Sequence, residues 1–149
     1  LKDAFFEEAS AEYLKRLKPY AKMNTVEIKQ APLSEAPSQT EIDRALEAEG
    51  AEIIRKIPPN STVIAMCIEG KQFSSEDFSR VFTEAALSGR AGVTFVIGGS
   101  CGLSERVKRM ADIKMSMSKM TFPHRLARIM LLEQIYRAFK IASGEKYHK

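Results

Sequence analysis

The chain has 149 residues, enough for one domain with its own core, and its 44% hydrophobic and 28% charged content is that of a globular protein. No run of 18 apolar residues is present to span a membrane, and Cys67 and Cys101 lack metal-ligand spacing and are too few for a disulfide framework. The formal net charge of +4 is uneven: residues 1–102 carry 12 Lys/Arg against 15 Asp/Glu, whereas residues 103–149 carry 11 against 4.

Residues 2–18 show amphipathic helical periodicity and end at Pro19. "NTVEIKQ" (24–30) alternates like a strand, and "APLSEAPS" (31–38) is a Pro/Ser loop. Ser38 followed by Glu41 is a capping box, opening a helix that continues through Gly50 to Ile57. "TVIAMCI" (62–68) is a continuous apolar run of strand length, as expected for a strand covered on both faces. After "EGKQF", Ser74 or Ser75 caps a further helix with acidic residues in its first turn. "GVTFVIGG" (92–99) is a second buried strand, "SERVKRMA" a short helix and "DIKMSMS" (112–118) a weaker strand. The last helix runs from His124 to Ala142, with Thr121 expected as its N-cap, Pro123 in its first turn and Gly144 ending it. Helices and strands alternate, so the expected architecture is single-domain α/β with a mostly parallel sheet flanked by helices. The chain starts on Leu1 already in helical phase, so a short upstream segment is expected. With no leader pattern and no disulfide framework, the expected location is cytoplasmic, with no membrane and no metal partner.

In such sheets ligands bind beyond the carboxyl ends of the strands, which selects the loops at "EGKQF", "GGSCGLS" and "SKMTFPH". The glycine loop fails the dinucleotide fingerprint, because Ile97 holds its first glycine position, and no Gly-Lys-Ser/Thr follows for a phosphate loop. Gly98-Gly99-Ser100-Cys101-Gly102 does match the nucleophile elbow of serine hydrolases, with Asp112 and then His124 or His148 following in order. That fold needs more strands than this length supplies. In the third loop, Met117, Met120 and Phe122 form a soft apolar wall interleaved with Ser118, Lys119 and Thr121, although methionines at this density more often fill a core than line a cofactor box.

The last helix is apolar on two sides. Ala127, Leu131, Leu132, Ile135, Ala138 and Phe139 share one face; Leu126, Ile129, Met130 and Tyr136 lie on the other, among Arg125, Glu133, Arg137 and Lys140. Such a helix must be covered twice, which predicts a symmetric homodimer through it. The basic final third points to a polyanionic partner, with a solvated surface as the ordinary alternative. The terminal Tyr147-His148-Lys149 suits base stacking and phosphate contact, although fraying is the commoner fate of such tails. On these grounds a non-enzymatic RNA-binding module stands beside the hydrolase as an alternative.

Taken as a set, "FVIGGSCGLS", "SMSKMTFPHRLARIMLLEQIYRAF" and "GEKYHK", together with "AEYLKRL" and "VIAMCIEGK", resemble the RlmH family along nearly the whole chain. The resemblance implies a SPOUT-class methyltransferase acting on N3 of a pseudouridine in 23S ribosomal RNA, in the large subunit or the assembled ribosome. It implies a C-terminal trefoil knot, a homodimer, a short strand before Leu1, and S-adenosylmethionine as cofactor. Carried over position by position, cofactor contacts fall on Met66, Gly98, Met117, Ser118, Lys119, Met120, Thr121 and Phe122. Met66 replaces a common leucine, an apolar swap, and Cys101 also stands where leucine is frequent. The substrate end implies catalytic roles for His148, as general base, and Tyr147. RNA contacts are implied for Arg125, Arg128, Arg137, Tyr147, His148 and Lys149.

Overall fold

A computed structural model describes residues 4–144. In chain order it contains α1 (Ala4–Leu17), α2 (Gln39–Lys56), β1 (Thr62–Gln72), α3 (Ser75–Leu87), β2 (Val93–Ile97), α4 (Glu105–Met110), β3 (Ile113–Ser116) and α5 (His124–Ala142). The three strands form one parallel sheet in the order β2-β1-β3.

β1 is central, and its alternation divides the core. Val63 and Ala65 point to one side with Val96, Leu103 and Val107, where Ile53 and Ile54 of α2 and its C-cap Ile57 close over them. Ile64 points to the other side with Leu17, Phe78, Met115, Leu131, Leu132, Ile135 and Ala138, and Met66 packs against this cluster of α1, α3 and α5 residues. A strand covered on both faces needs apolar residues at every position, which is why "TVIAMCI" reads as an unbroken run.

Serine side chains set three helix starts. Ser38 Oγ accepts from the Glu41 amide (3.1 Å), Ser74 Oγ from that of Asp77 (3.0 Å) and Ser104 Oγ from that of Val107 (3.2 Å). The reciprocal half of the predicted capping box does not form. The Glu41 carboxylate turns to Ser34 instead, accepting from its hydroxyl at 3.1 Å and its amide at 3.3 Å, and so pins the Pro/Ser loop to α2. The predicted N-cap Thr121 is also displaced: Pro123 takes that position with extended geometry and gives no side-chain bond, so α5 begins at His124. The ring of Pro123 fixes the entry angle in place of a hydrogen bond.

The strand expected at 24–30 is absent. Alternation alone does not make a strand. Among the described residues no neighbouring backbone forms a ladder with this segment, and it is held by side chains. Met23 packs on the core, Glu27 pairs with Arg128 at 3.4 Å, and the Ala31 amide donates to Glu49 at 2.9 Å. β1 runs four residues longer than the apolar pattern implied. Met66 and Lys71 both lie opposite Met115, so residues 67–70 make an excursion from the ladder and β1 then rejoins β3 through Gln72 and Ser116.

Part of the second apolar face of α5 is covered within the chain. Tyr136 packs edge-on against Tyr20 at 6.0 Å, and Tyr20 also stacks on Phe139. Ile129 and Met130 stay half-buried and Leu126 is exposed. No helix of the described residues is long and apolar enough to cross a membrane.

Candidate cofactor site

The carboxyl ends of the three strands carry the three loops selected above. β1 ends its regular pairing at Met66, which lies between Ile97 of β2 and Met115 of β3. Gly98 follows β2 directly, and 117–122 follows β3. A parallel sheet brings these three chain exits to one edge. It therefore gathers Met66, Gly98 and the 117–122 segment from positions up to about fifty residues apart.

The glycine loop is a tight turn. Gly99 and Gly102 form an isolated bridge, the Gly102 amide donates to the Gly99 carbonyl at 3.1 Å, and Gly102 has φ 81°. A Cβ on Gly98 would stand 2.5 Å from the Gly102 carbonyl oxygen, so the turn closes only around a bare Cα.

The third loop is shaped by two serines. Ser116 Oγ donates to the Ser118 carbonyl at 2.9 Å, and Ser118 Oγ accepts from the Met120 amide at 3.0 Å. Alternating serines in "SMSKM" are the sequence signal for this knuckle. It holds Met117 inward, against the core, and leaves Met120 73% exposed at the rim. Among the described residues no backbone–backbone bond engages 118–122; apart from the Ser118 carbonyl and the Met120 amide, which the two serines take, these peptide groups face outward.

A groove of about 440 Å³ opens beside this loop. Phe73, Ser75, Phe78, Met117, Met130 and Gln134 line much of it, and Ser75 Oγ donates to Gln134 Oε1 at 2.8 Å. It shares only Met117 with the expected cofactor contacts. The groove lies on the α3–α5 side, whereas Met66 and Gly98 sit at the strand ends themselves. The sequence offered no signal for this groove, because it forms where two helices separated by nearly forty residues meet.

From the sequence Glu69 could bind a hydroxyl or merely cap the next helix, and its partner Lys108 carried no signal. Lys108 Nζ donates to Glu69 Oε2 at 2.7 Å, across 39 residues of sequence. The bond lowers the Glu69 carboxyl pKa and raises that of the Lys108 ammonium, each holding the other charged. Burial, then the Glu69 charge, raises the nearby Cys67 thiol, which therefore stays protonated and unreactive.

The serine-hydrolase constellation is not assembled. Asp112 lies at the amino end of the sheet, where its carboxylate accepts from the Val63 amide at 2.7 Å and its own amide donates to the Val63 carbonyl at 2.8 Å. Ser100 is beyond the opposite end of β2. A nucleophile elbow strains its serine, but Asn60 is the one non-glycine residue with positive φ among those described. Of the expected RNA contacts, Arg125 is exposed in the first turn of α5, Arg128 pairs with Glu27, and Arg137 pairs with Glu133 at 3.1 Å. Tyr147, His148 and Lys149 lie outside the described residues. Among those described, no group of three His, Cys, Asp or Glu side chains is placed to hold a metal ion.

Comparison with known proteins matches residues 1–148 to the family described as "Predicted SPOUT methyltransferase". The chain is 48% identical over 149 residues to the ribosomal RNA large subunit methyltransferase H of Carboxydothermus hydrogenoformans, covering all of this chain and 94% of the relative. It is 46% identical over 148 residues to the enzyme of that name from Pelotomaculum thermopropionicum, covering 99% and 92%. It is also 46% identical to that of Clostridium acetobutylicum, covering 100% and 94%. The chain thus belongs to the SPOUT methyltransferases and, within them, to the RlmH family.

Proposed function

We propose that this protein transfers a methyl group from S-adenosylmethionine to N3 of a pseudouridine in large-subunit ribosomal RNA. The observation that carries the reading is the end-to-end match, at 46–48% identity, to enzymes named for large-subunit ribosomal RNA methylation. The geometry supports it, because the three strand exits expected to cradle the cofactor converge at one sheet edge.

The donor set suits the cofactor. Adenine needs an apolar slot and backbone groups for its edge; Met66 and Met117 at the core and Met120 and Phe122 in the loop offer apolar surface, and the peptides of 118–122 have no backbone partner. Gly98 lets the glycine turn beside Met66 close on itself. Ser118 is committed to shaping its own loop, so its role is to present the neighbouring peptides. Lys119 and Thr121 stand exposed at the rim. When bound, S-adenosylmethionine supplies an electrophilic methyl group on a sulfonium leaving group. The protein's task is then to bind, exclude water and align the acceptor.

The acceptor nitrogen is an imide and must lose its proton. His148, with Tyr147 on the base, is the general base in this reading, and Lys149 with Arg125, Arg128 and Arg137 holds the RNA backbone. Arg128 and Arg137 would exchange their carboxylate partners for phosphate. A homodimer through Leu126, Ile129 and Met130 of α5 completes the site, and the C-terminal segment forms the trefoil knot of its class.

The test is methyl transfer from labelled S-adenosylmethionine to ribosomes lacking the modification, with nucleoside mapping of the product. Label at N3 of one large-subunit pseudouridine is expected; no transfer to large-subunit RNA refutes the reading. In His148→Ala, a normal rate across pH 6–9 removes the base assignment while leaving the activity in place.

A further inference from the structure

We infer that Glu69 and Lys108 are positioning residues of the methyl-donor site: their ion pair fixes the gap between the β1 excursion at 67–70 and the glycine turn at 98–102. The inference rests on the reading of those loops as the donor cradle.

Arg16–Glu12 and Arg80–Asp77 join neighbours on one helix. Lys108–Glu69 instead joins α4 to the β1 excursion. The Lys108 side chain is 16% exposed and that of Glu69 57%, so the ammonium is partly shielded while the carboxylate reaches solvent. Glu105 stands 3.8 Å away, but it sits on α4 itself and ties nothing to β1.

The excursion is held on its other sides. Both its ends are pinned opposite Met115. Gly70 lies flat on β3, where a Cβ would stand 2.6 Å from the Met115 nitrogen and 2.7 Å from the Lys114 carbonyl carbon. Movement toward β3 is therefore blocked by backbone. What remains is movement away from it, and the Lys108 bond restrains that. At the other end of the pair, α4 is capped by Ser104, which is 4% exposed, and Leu103, 5% exposed, anchors the glycine turn just before it. One bond thus couples the loop after Met66 to the loop after Ile97. Glu69 and Lys108 act through these loops rather than on the reacting atoms.

The experiment measures S-adenosylmethionine binding by calorimetry, steady-state methylation of ribosomes, and amide deuterium exchange in wild type, Glu69→Gln, Lys108→Met and the swap Glu69→Lys/Lys108→Glu. Loss of one partly exposed ion pair predicts about fivefold weaker cofactor binding in each single variant. KM for the cofactor rises with it while kcat holds, exchange quickens at 67–70 and 99–103 but not in α5, and the swap restores binding. A pair that served stability alone would lower the melting temperature without moving KM. Wild-type binding with unchanged Kd and loop exchange in both single variants overturns this assignment alone. Wild-type protein that binds no S-adenosylmethionine overturns the methyltransferase reading, and this assignment with it.

Discussion

Gly50 sits in the interior of α2, where alanine is the better helix former by about 1 kcal/mol. Propensity therefore predicts that Gly50→Ala stabilises the protein. The packing predicts the reverse. A Cβ at position 50 would stand 2.5 Å from Ser104 Oγ and 3.3 Å from Ser104 Cβ and Val107 Cγ2. Ser104 Oγ cannot swing away freely, because it caps α4 by accepting from the Val107 amide at 3.2 Å in a buried seam. Losing that cap costs about 1 kcal/mol. Forcing α2 and α4 apart at a packed contact adds about 1–3 kcal/mol. Subtracting the propensity gain leaves a net loss of about 1–3 kcal/mol, or a melting temperature lower by roughly 3–10 °C at this chain length. Calorimetric melts of wild type, Gly50→Ala, Ser104→Ala and the double variant decide the matter. Removing Oγ clears the shortest contact, so the double variant should be no less stable than Ser104→Ala, with a coupling of about 1–2 kcal/mol. A Gly50→Ala protein melting at or above wild type, or strictly additive effects, refutes this account of the seam.

Asp112→Ala leaves the Val63 amide, on a residue 4% exposed, without its acceptor, and should cost about 1.5–3 kcal/mol in denaturant unfolding. A fluorophosphonate probe should leave Ser100 unlabelled in the wild-type protein; labelling lost in Ser100→Ala would restore the hydrolase. Gly70→Ala places a methyl group against β3 backbone and should destabilise by about 2 kcal/mol; a raised melting temperature contradicts the flat crossing. The Glu69 pKa is lowered, so its contribution is present above the ordinary carboxylate range and lost as pH falls through the lower folded value. The Lys108 pKa is raised, so its contribution is present below the ordinary lysine value and lost as pH rises through the higher folded one. The pair should hold unchanged from about pH 5 to 9. In carbon-detected NMR the Glu69 midpoint should climb in Lys108→Met; an unmoved midpoint contradicts the coupling.

What could be read from the sequence was what local periodicity and burial determine together. "TVIAMCI" announced a doubly covered strand, and α2 was traced through Gly50 because its apolar residues keep helical phase on both sides. The segment 24–30 misled because alternation describes one strand and says nothing of its neighbour. Glu41 misled for a related reason: its spacing from Ser38 fits a capping box, but Ser34 offers two donors to the same carboxylate. The expectation that a ligand binds at the strand ends came from the βα alternation alone, whereas the individual residues proposed to hold the cofactor came only from the family resemblance. The Lys108–Glu69 pair, the excursion at 67–70 and the groove beside Met117 all depend on which distant segments meet, so no local pattern marks them.

The two ends of the sheet are built differently, and this bears on why the cofactor reading belongs at one of them. At the amino end Asp112 ties β3 to β1 by two hydrogen bonds at Val63, the Arg90 guanidinium stands 3.7 Å from the Asp112 carboxylate, and Arg90 also donates to the Ser61 carbonyl. Polar groups there are spent on holding strands in register. At the carboxyl end the chain leaves the ladder three times. Its bonds there shape loops rather than fill them: serine oxygens bend 116–120, a bare Cα closes 98–102, and one ammonium restrains 67–70. The peptides of 118–122 are left without backbone partners, beside methionine and phenylalanine side chains. Exposed peptide groups of this kind can pair with water or with a ligand, and in the function proposed above an adenine edge flanked by an apolar wall has the matching chemistry.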